Sequence, residues 1–300
     1  MIPQLPPYLT EALTRQYGPE ETQRIIEGYT ERPVTLRINP LRTDHEAALH
    51  HLDEAGIRYE PVPWYADALI LPEVREDAVR ALPLYEQGAV YLQSLSSMLP
   101  ALVLQAQPGE TVLDMAAAPG GKTTQIAALT GGRALITACE KNPLRAERLR
   151  FNLERQGARR ATVLQQDARD LNDLFSFDRI LLDAPCTGSG TLLLREGEPQ
   201  RRMEAGWVKK TAATQLAMLQ KALRLLRKGH ELVYSTCSIM EIENEQVVRQ
   251  ALKNGGAEVL PVDPALAEQL PLLPTSLPGC LCVRPTALFE GFFVARLRKK

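Results

Sequence analysis

The sequence lacks the features that mark membrane, secreted and metal-binding proteins. No apolar run approaches the roughly 18 residues of a membrane span, so we expect no membrane association. The first residues do not combine a basic segment with an apolar one, which predicts no secretory signal. The 4 histidines fit no metal-ligand spacing, and we expect no metal. The 5 cysteines are odd in number and widely spread, which favours a reduced, cytoplasmic protein over a disulfide framework.

An excess of charge of one sign is also absent. Lysine and arginine total 35 and aspartate and glutamate total 36, so the net charge is −1. A nucleic-acid partner would therefore have to be recognised by local basic patches. Hydrophobic residues make up 45% of the 300 residues and charged residues 24%, which is ordinary for a globular protein. This composition excludes a largely disordered chain, a collagen and a coiled coil.

The pattern of apolar residues changes once along the chain. Residues 1–83 predict an N-terminal helical segment followed by a small α/β domain. From residue 84 to residue 300, apolar strands alternate with helices, which predicts a second α/β domain with a parallel sheet covered on both faces. The predicted strands of this domain are 111–115, 134–140, 161–165, 178–183, 231–235 and 291–297. A ligand of such a sheet binds at the carboxyl ends of its strands.

A glycine-rich loop, Asp-Met-Ala-Ala-Ala-Pro-Gly-Gly-Lys-Thr, follows the first of these strands at residues 114–123. A phosphate-binding loop of the Walker type needs a further glycine where this chain has Ala116. The segment 179–183, Arg-Ile-Leu-Leu-Asp, could serve as the Walker B strand of a nucleoside triphosphatase. A nucleoside triphosphatase therefore remains as one alternative.

Acidic residues at the strand ends favour a different ligand. Asp114, Glu140 and Asp183 end the first, second and fourth strands, and Asp167 lies just past the third. Four carboxylates would repel a triphosphate, but they suit a cation that carries a ribose diol and an amino group. S-adenosylmethionine has a sulfonium, an ammonium and a ribose. The acids therefore predict S-adenosylmethionine as the cofactor.

Two cysteines follow neighbouring predicted strands. Cys186 lies in Asp-Ala-Pro-Cys after the fourth strand, and Cys237 lies in Ser-Thr-Cys-Ser after the fifth. Methylation at C5 of a pyrimidine needs such residues, because a thiolate must add to C6 before C5 becomes nucleophilic. A carboxyl group near N3 and N4 of cytosine would stabilise the adduct, and Asp183 is placed for this role. These arguments leave open which cysteine is the nucleophile.

Motifs along almost the whole chain resemble the NOL/NOP/Sun family of RNA cytosine-C5 methyltransferases. They are, in order, RPVTLRINPLRT (32–43), YEQGAVYLQSLSSMLP (85–100), DMAAAPGGKTTQ (114–125), DAPCTGSGTL (183–192), YSTCSI (234–239) with ENE (243–245), and GFFVARL (291–297). The resemblance implies a Rossmann-like class I methyltransferase domain with a mostly parallel seven-stranded sheet. It also implies that ribosomal RNA is the favoured substrate, with transfer RNA next.

The resemblance also implies roles for individual residues. Cys237 would be the nucleophile, and Cys186 would help to release the methylated base. The implied cofactor contacts are Ala116, Ala117, Ala118, Pro119, Gly120, Gly121, Lys122, Glu140, Arg145, Asp167 and Asp183. The chain departs from the family at Ala116, where cysteine is usual, and at Thr286, where histidine often follows the proline. Neither departure removes a catalytic residue, although the second weakens the expectation of RNA contacts near the C-terminus.

Basic residues form two local groups that predict RNA contacts. The first is Arg145, Arg148, Arg150, Arg155, Arg159 and Arg160, and a merely solvated helix face explains it equally well. The second is Arg201, Arg202, Lys209 and Lys210 around Trp207. We also predict RNA contacts from Arg37 and Asn39 in the N-terminal domain. The target base would have to leave its stack to reach a thiol.

Two further alternatives compete with an RNA cytosine methyltransferase. One is an RNA-binding assembly factor that keeps the fold without activity, which the presence of both cysteine motifs argues against. The other is a methyltransferase of exocyclic amines. Such an enzyme needs no thiol and usually carries an Asn/Asp-Pro-Pro-aromatic loop, whereas Pro185 here is followed by Cys186.

Overall fold

The computed structural model describes residues 5–195 and 203–300. Its helices are α1 (Pro7–Tyr17), α2 (Pro19–Glu27), α3 (His45–Glu54), α4 (Glu76–Arg80), α5 (Pro83–Glu86), α6 (Leu95–Leu104), α7 (Gly121–Leu129), α8 (Pro143–Arg155), α9 (Ala205–Leu225), α10 (Glu245–Leu252) and α11 (Pro264–Ala267). Its strands are β1 (Val34–Ile38), β2 (Glu60–Val62), β3 (Tyr65–Leu71), β4 (Val90–Leu92), β5 (Thr111–Asp114), β6 (Leu135–Cys139), β7 (Ala161–Leu164), β8 (Phe177–Asp183), β9 (Leu226–Thr236), β10 (Ala257–Leu260), β11 (Leu272–Leu273), β12 (Leu281–Val283) and β13 (Phe292–Lys299).

The smaller of two sheets has four strands in the order β2-β3-β1-β4 within the described residues. Its neighbouring strands pair antiparallel, with Val34 opposite Leu71 and Leu36 opposite Leu92. Leu36, Leu69 and the α3 residue Leu52 are buried in one apolar core. This small α/β region agrees with the sequence pattern, except that β4 was not predicted as a strand.

The larger sheet confirms the predicted α/β class. Its strand order is β11-β12-β13-β9-β8-β5-β6-β7, with β10 paired to β13. Strands β8, β5, β6 and β7 run parallel, as a Rossmann-like sheet requires, and β10–β13 add antiparallel pairs.

The larger sheet differs from the prediction in its number of strands. It has nine strands among the described residues, where seven were predicted. The strands outside the six predicted ranges are the short β10, β11 and β12, and β11 lies between Pro271 and Pro274 in a stretch that predicted only a loop. Proline is tolerated there because β11 is an edge strand, whose outer N–H groups need no partner.

The chain divides into two compact units. Unit 1 comprises Met1–Arg32, Leu182–Arg224 and Lys228–Lys300, and unit 2 comprises Pro33–Leu181 and Leu225–Arg227. The domain boundary at residue 83 stays a prediction. No helix of the described residues is long and apolar enough to cross a membrane.

In unit 1, the N-terminal helices pack beside the cysteine motifs. The Tyr17 hydroxyl donates to the Ile239 carbonyl at 2.7 Å, and the Tyr29 hydroxyl donates to the Ser189 carbonyl at 2.6 Å. Gly28 lies so close to Pro285 that an added Cβ would be 1.9 Å from its carbonyl oxygen. The segment before Pro33 therefore forms part of the framework around both cysteine loops.

In unit 2, α8 follows the local signals of the sequence. The Asn142 side chain accepts a hydrogen bond from the Arg145 N–H, and Pro143 occupies the first turn. Gly157 has a φ of 73°, which lets the chain leave the helix. This confirms the predicted start and stop of the helix, which carries several of the predicted site residues.

Candidate active site

The loop after β5 brings the first group of predicted cofactor residues together in unit 2. Asp114 is buried at the end of the strand, and its Oδ2 accepts a hydrogen bond from Thr123 Oγ1 at 2.7 Å. The Ala117 N–H donates to the Cys139 carbonyl at 2.9 Å. The chain therefore turns tightly from β5 into α7 with its backbone fixed to the neighbouring strand.

Glycine is required at this turn. Gly120 has a φ of 110°, and an added Cβ would lie 3.0 Å from the Leu149 side chain. At Gly121 an added Cβ would lie 3.2 Å from the Tyr91 ring. The next residue, Lys122, donates from its Nζ to Ser97 Oγ at 2.8 Å. The two glycines therefore let the loop pack closely against Leu149 and Tyr91.

Glu140 and Arg145 tie the end of β6 to this loop. Glu140 is 5% exposed, and its carboxylate accepts from the Asn142 N–H at 2.9 Å. Arg145 Nη1 lies 3.3 Å from Glu140 Oε2, while its Nη2 donates to the Ala118 carbonyl at 2.8 Å. The structure thus brings Glu140, Arg145 and the loop together, as predicted. A carboxylate has about four lone-pair sites, so Glu140 can still accept hydroxyls of a ribose.

Asp167 is held just past β7 by a neighbouring arginine. Its carboxylate accepts hydrogen bonds from the Arg169 N–H at 3.0 Å and from Arg169 Nη2 at 2.7 Å. These bonds hold the pKa of Asp167 at about 2 although partial burial opposes the shift. Lys141 Nζ is 3.7 Å away. Asp167 is therefore an ionised group beside Lys141 near the end of its strand.

The two cysteine motifs meet in unit 1. Cys186 Sγ lies 3.1 Å from Cys237 Sγ. The hydrogen bond with Cys237 and then burial raise the pKa of the Cys186 thiol well above its ordinary value. The Gly190 N–H donates to the Cys237 carbonyl at 2.9 Å, which joins the two loops through the backbone as well. The two thiols thus lie side by side, as expected for residues that follow neighbouring strands.

Asp183 lies at the end of β8, three residues before Cys186. Its Oδ1 accepts a hydrogen bond from Ser235 Oγ at 2.8 Å, and the following Ala184 N–H donates to the Ser235 carbonyl. The segment before one cysteine is therefore fixed to the segment before the other. This hydrogen bond sets the orientation of the Asp183 carboxyl group.

Sequence reasoning missed the residue that connects both cysteine loops. Glu243 is fully buried, and Oε1 accepts from the Thr187 N–H at 2.9 Å and from Gln215 Nε2 at 3.1 Å. Its Oε2 accepts from Thr187 Oγ1 at 2.5 Å and from Ser238 Oγ at 2.6 Å. Thr187 directly follows Cys186, and Ser238 directly follows Cys237. The only signal in the sequence was its place in the ENE motif.

The predicted RNA contacts of Arg37 and Asn39 are wrong. Both residues are buried, at 0% and 1% exposure. Arg37 donates to Gln93 Oε1 at 3.3 Å and to Thr124 Oγ1 at 3.1 Å. Asn39 donates to the carbonyls of Gly88 and Gln156. These side chains hold unit 2 together because a buried donor must find an acceptor.

The structure describes all of the first predicted basic group but only part of the second. In the first, the side chains of Arg145, Arg148, Arg150, Arg159 and Arg160 are exposed around α8. In the second, Arg201 and Arg202 lie outside the described residues, whereas Lys209 and Lys210 are exposed on α9. The arrangement of the second group therefore stays a prediction.

The fold and the site together indicate a class of protein. A parallel sheet with a glycine-rich turn after its first strand and an acid at the end of the second is typical of a Rossmann-like nucleoside-binding fold. Two neighbouring cysteines after two further strands are what methylation at C5 of a pyrimidine would need. Together these features are typical of a Rossmann-like methyltransferase.

Comparison with known families agrees with this class. Residues 101–298 match the family described as "16S rRNA methyltransferase RsmB/F". Residues 5–76 match the family described as "Methyltr_RsmF/B-like, ferredoxin-like domain". The chain therefore belongs to the RsmB/F family of the NOL/NOP/Sun methyltransferases, which confirms the predicted resemblance. S-adenosylmethionine is the methyl donor of this family, as predicted. Family membership leaves the nucleoside triphosphatase without support.

Curated relatives are longer than this chain. Ribosomal RNA small subunit methyltransferase F of Vibrio vulnificus (strain YJ016) is 36% identical over 289 residues, which cover 90% of this chain and 59% of the relative. The 25S rRNA (cytosine-C(5))-methyltransferase nop2 of Schizosaccharomyces pombe is 34% identical over 258 residues, covering 82% of this chain and 41% of the relative. The chain thus spans about three fifths or less of the length of these relatives.

Solved structures match over nearly the full chain. A methyltransferase homolog protein from Pyrococcus horikoshii is 31% identical, with a TM-score of 0.83 over 99% of this chain and 100% of that one. NSun6 from Pyrococcus horikoshii with SFG has a TM-score of 0.87 at 24% identity, covering 98% of each chain. The second likeness concerns the fold alone.

The described residues fit the cofactor of the family. The loop at 116–122, Glu140 and Arg145 lie together in unit 2, and the Glu140 carboxylate can still accept hydroxyls of a ribose. We expect Glu140 to hold the ribose diol, as an acid at this position does in dinucleotide-binding folds, and the loop to contact the cofactor. Individual contacts of these residues and of Asp167 and Asp183 stay predictions.

Proposed function

We propose that this chain transfers a methyl group from S-adenosylmethionine to C5 of a cytosine in RNA, with ribosomal RNA as the first candidate substrate. The single observation that carries the proposal is the 3.1 Å approach of Cys186 Sγ to Cys237 Sγ. Ribosomal RNA is favoured because the relatives compared above are ribosomal RNA methyltransferases. A cytoplasmic location stays a prediction from the cysteine content.

Cys237 would act as the nucleophile. Its sulfur adds to C6 of cytosine, so that an S–C6 bond forms and the C5=C6 bond opens with electron density on C5. Bound S-adenosylmethionine would supply an electrophilic methyl group, which C5 takes as the sulfonium S–CH₃ bond breaks and S-adenosylhomocysteine is left. A base then removes the C5 proton, the C5=C6 bond re-forms, and the S–C6 bond breaks. The thiolate of Cys237 is regenerated.

Cys186 would assist from the thiol form. The raised pKa of Cys186 keeps its proton on sulfur, so its S–H can donate to the Cys237 sulfur. This hydrogen bond stabilises the Cys237 thiolate both before addition and when it leaves C6, because a better-stabilised thiolate is a better leaving group. That role agrees with the release of the methylated base, which the resemblance assigns to Cys186.

Asp183 would act on the opposite side of the base. A carboxyl group near N3 and N4 stabilises the charge that develops in the ring when sulfur adds to C6. The hydrogen bond from Ser235 Oγ fixes this carboxyl group before the base arrives. The proposal requires that the bound cofactor present its methyl group to the same cytosine.

A covalent trap tests the proposal. Cys186→Ala, Cys237→Ala and the double variant are expressed in a bacterium and compared on denaturing gels with and without ribonuclease. We expect a slow, nuclease-sensitive band from Cys186→Ala alone, because its adduct forms through Cys237 and resolves slowly. Cys139→Ala is the matched control, since this cysteine is buried elsewhere and should give no band.

The outcomes separate the parts of the proposal. Sequencing the trapped RNA identifies the substrate, and transfer RNA in the band would replace ribosomal RNA. A band from Cys237→Ala instead would reverse the roles of the two cysteines. If no variant traps RNA although each binds S-adenosylmethionine, the RNA substrate is refuted.

A further inference from the structure

Helix α8 carries a stripe that no role in the proposed chemistry explains, in which Leu144, Arg148 and Phe151 are exposed and Arg155 is half-buried. Leu144, Arg148, Phe151 and Arg155 follow one another at spacings of four, three and four residues, so they share one face of the helix. Leu144 is 70% exposed and Phe151 is 62% exposed. Exposed large apolar side chains that cluster with arginines mark an interaction surface.

Arginine and aromatic groups alternate beyond the end of this helix. The Arg155 guanidinium lies 5.5 Å from the centroid of the Phe151 ring and 4.3 Å from that of Tyr85. The Arg80 guanidinium lies 5.3 Å from the Tyr85 centroid and donates to the Tyr85 hydroxyl. We call Leu144, Arg148, Phe151 and Arg155, with Tyr85 and Arg80, the α8 stripe.

Most of the positive charge of the α8 stripe is not matched by carboxylates. Within residues 5–195 and 203–300, neither Arg148 nor Arg155 forms an ion pair, whereas Arg80 pairs with Glu76 at 2.9 Å. The acidic residues of α8, Glu147 and Glu154, fall to one side of the α8 stripe by helical spacing. The surface is therefore basic and partly apolar, a combination that suits a polyanion with planar groups.

An adjacent side of α8 is attached to the cofactor loop. Asn152 Nδ2 donates to the Pro119 carbonyl at 2.8 Å, and Arg145 Nη2 donates to the Ala118 carbonyl at 2.8 Å. Leu149 is fully buried beneath them. The α8 stripe is thus rigidly joined to the loop that the family uses for its methyl donor.

We propose that the α8 stripe binds a single-stranded segment of the RNA substrate. A base stacks on the exposed ring of Phe151, while the exposed Arg148 contacts a phosphate. Stacking on exposed aromatic rings together with arginine contacts is how proteins hold unpaired RNA. The inference rests on the proposed function, because that function supplies RNA as the partner.

The test is RNA binding as a function of salt. A short, fluorescein-labelled, cytidine-containing single-stranded RNA is titrated with the full chain and its variants. We expect Phe151→Ala to bind about tenfold more weakly with an unchanged salt dependence, because stacking on a ring releases no counterions. Arg148→Ala should weaken binding and lower the slope of log K against log salt by about 0.7.

Two matched controls separate the α8 stripe from general surface effects. Phe175 is 49% exposed and lies in a loop of the same unit, so Phe175→Ala should bind RNA like the wild type. Arg150 lies on another side of α8, and Arg150→Ala should leave the binding constant within about twofold of the wild type. Equal unfolding midpoints of all variants exclude loss of folded protein.

The outcomes distinguish this inference from the proposed function. If the wild type binds RNA and Phe151→Ala binds equally well, the α8 stripe is not an RNA surface, although the methyltransferase proposal stands. In that case a protein partner becomes the remaining occupant of this face. If the wild type binds no RNA, both proposals are refuted.

Discussion

Replacing the buried Glu243 tests whether one carboxylate sets the geometry of both cysteine loops. In Glu243→Gln, one of the two oxygens becomes an N–H₂ group that faces donors instead of accepting from them. Each carboxylate oxygen accepts two hydrogen bonds in the wild type, so two of the four are lost. A hydrogen bond to a charged group contributes about 1.5–3 kcal/mol, and burying an amide costs less than burying a carboxylate. We expect a net destabilisation of about 3 kcal/mol.

The same substitution should change the chemistry of Cys186. The negative charge of Glu243 is one of the causes that raise the pKa of Cys186, after the hydrogen bond with Cys237, burial and the charge of Cys237. Removing that charge should therefore lower the pKa. Alkylation of Cys186 by iodoacetamide, followed by peptide mass mapping across pH, should shift to lower pH in Glu243→Gln. A merely structural residue would not move this profile in a defined direction.

Glu245→Gln is the matched control for this experiment. Glu245 is also buried, at 1% exposure, but burial raises its pKa and its carboxyl bonds to neither cysteine loop. We expect a change in the free energy of unfolding of less than about 1 kcal/mol and no shift of the Cys186 alkylation profile. Urea unfolding measures the first quantity. Glu243→Gln behaving like Glu245→Gln in both assays would refute the reasoning.

Three further predictions follow from unit 2. Gly120→Ala should lose about 2 kcal/mol of stability and bind S-adenosylmethionine more weakly, because its φ of 110° is unfavourable with a Cβ; thermal unfolding with and without the cofactor measures both. Arg37→Met should destabilise the chain by about 2 kcal/mol, since it leaves buried acceptors unpaired, but the salt slope of RNA binding should not change. Arg169→Ala should raise the pKa of Asp167 from about 2 towards the ordinary aspartate value of 3.8, because it removes the hydrogen bonds from the Arg169 side chain. Because the pKa of Asp167 is depressed in the folded chain, the ionised Asp167 stabilises the fold fully above pH 4, and this contribution is lost as the pH falls towards 2. Carboxylate titration by NMR measures the pKa, and acid unfolding measures the loss of stability.

The parts of the fold that the sequence predicted correctly are those fixed by local rules. Asn142 caps α8, Pro143 begins it and Gly157 ends it, because each residue acts through its own backbone conformation or its nearest turn. The turn at Gly120 is equally local. The approach of Cys186 to Cys237 needed one further assumption, that the strands before them are neighbours in the sheet, and the strand order supports it.

Long-range partners could not be predicted in the same way. Nothing in the segment around Arg37 distinguishes a buried guanidinium from one that meets RNA phosphates. The difference lies in Gln93 and Thr124, which supply the acceptors that a buried arginine needs and which are far away in the sequence. The short β11 was missed for a related reason, since an edge strand of two residues depends on its partner β12 and has almost no pattern of its own.

Glu243 and Arg148 show how burial decides the function of a charged side chain. A carboxylate without exposure must have its hydrogen bonds satisfied inside the protein, and Glu243 finds its donors in the residues that directly follow the two cysteines. Its charge is therefore used to fix a geometry. Arg148 is exposed on α8 and forms no ion pair among the described residues, so its charge is available to a partner from solution. A charged residue in this chain should thus be tested for stability where it is buried and for RNA affinity where it is exposed. We expect the Glu243 variant to lower the free energy of unfolding, and the Arg148 variant to weaken RNA binding without changing that free energy.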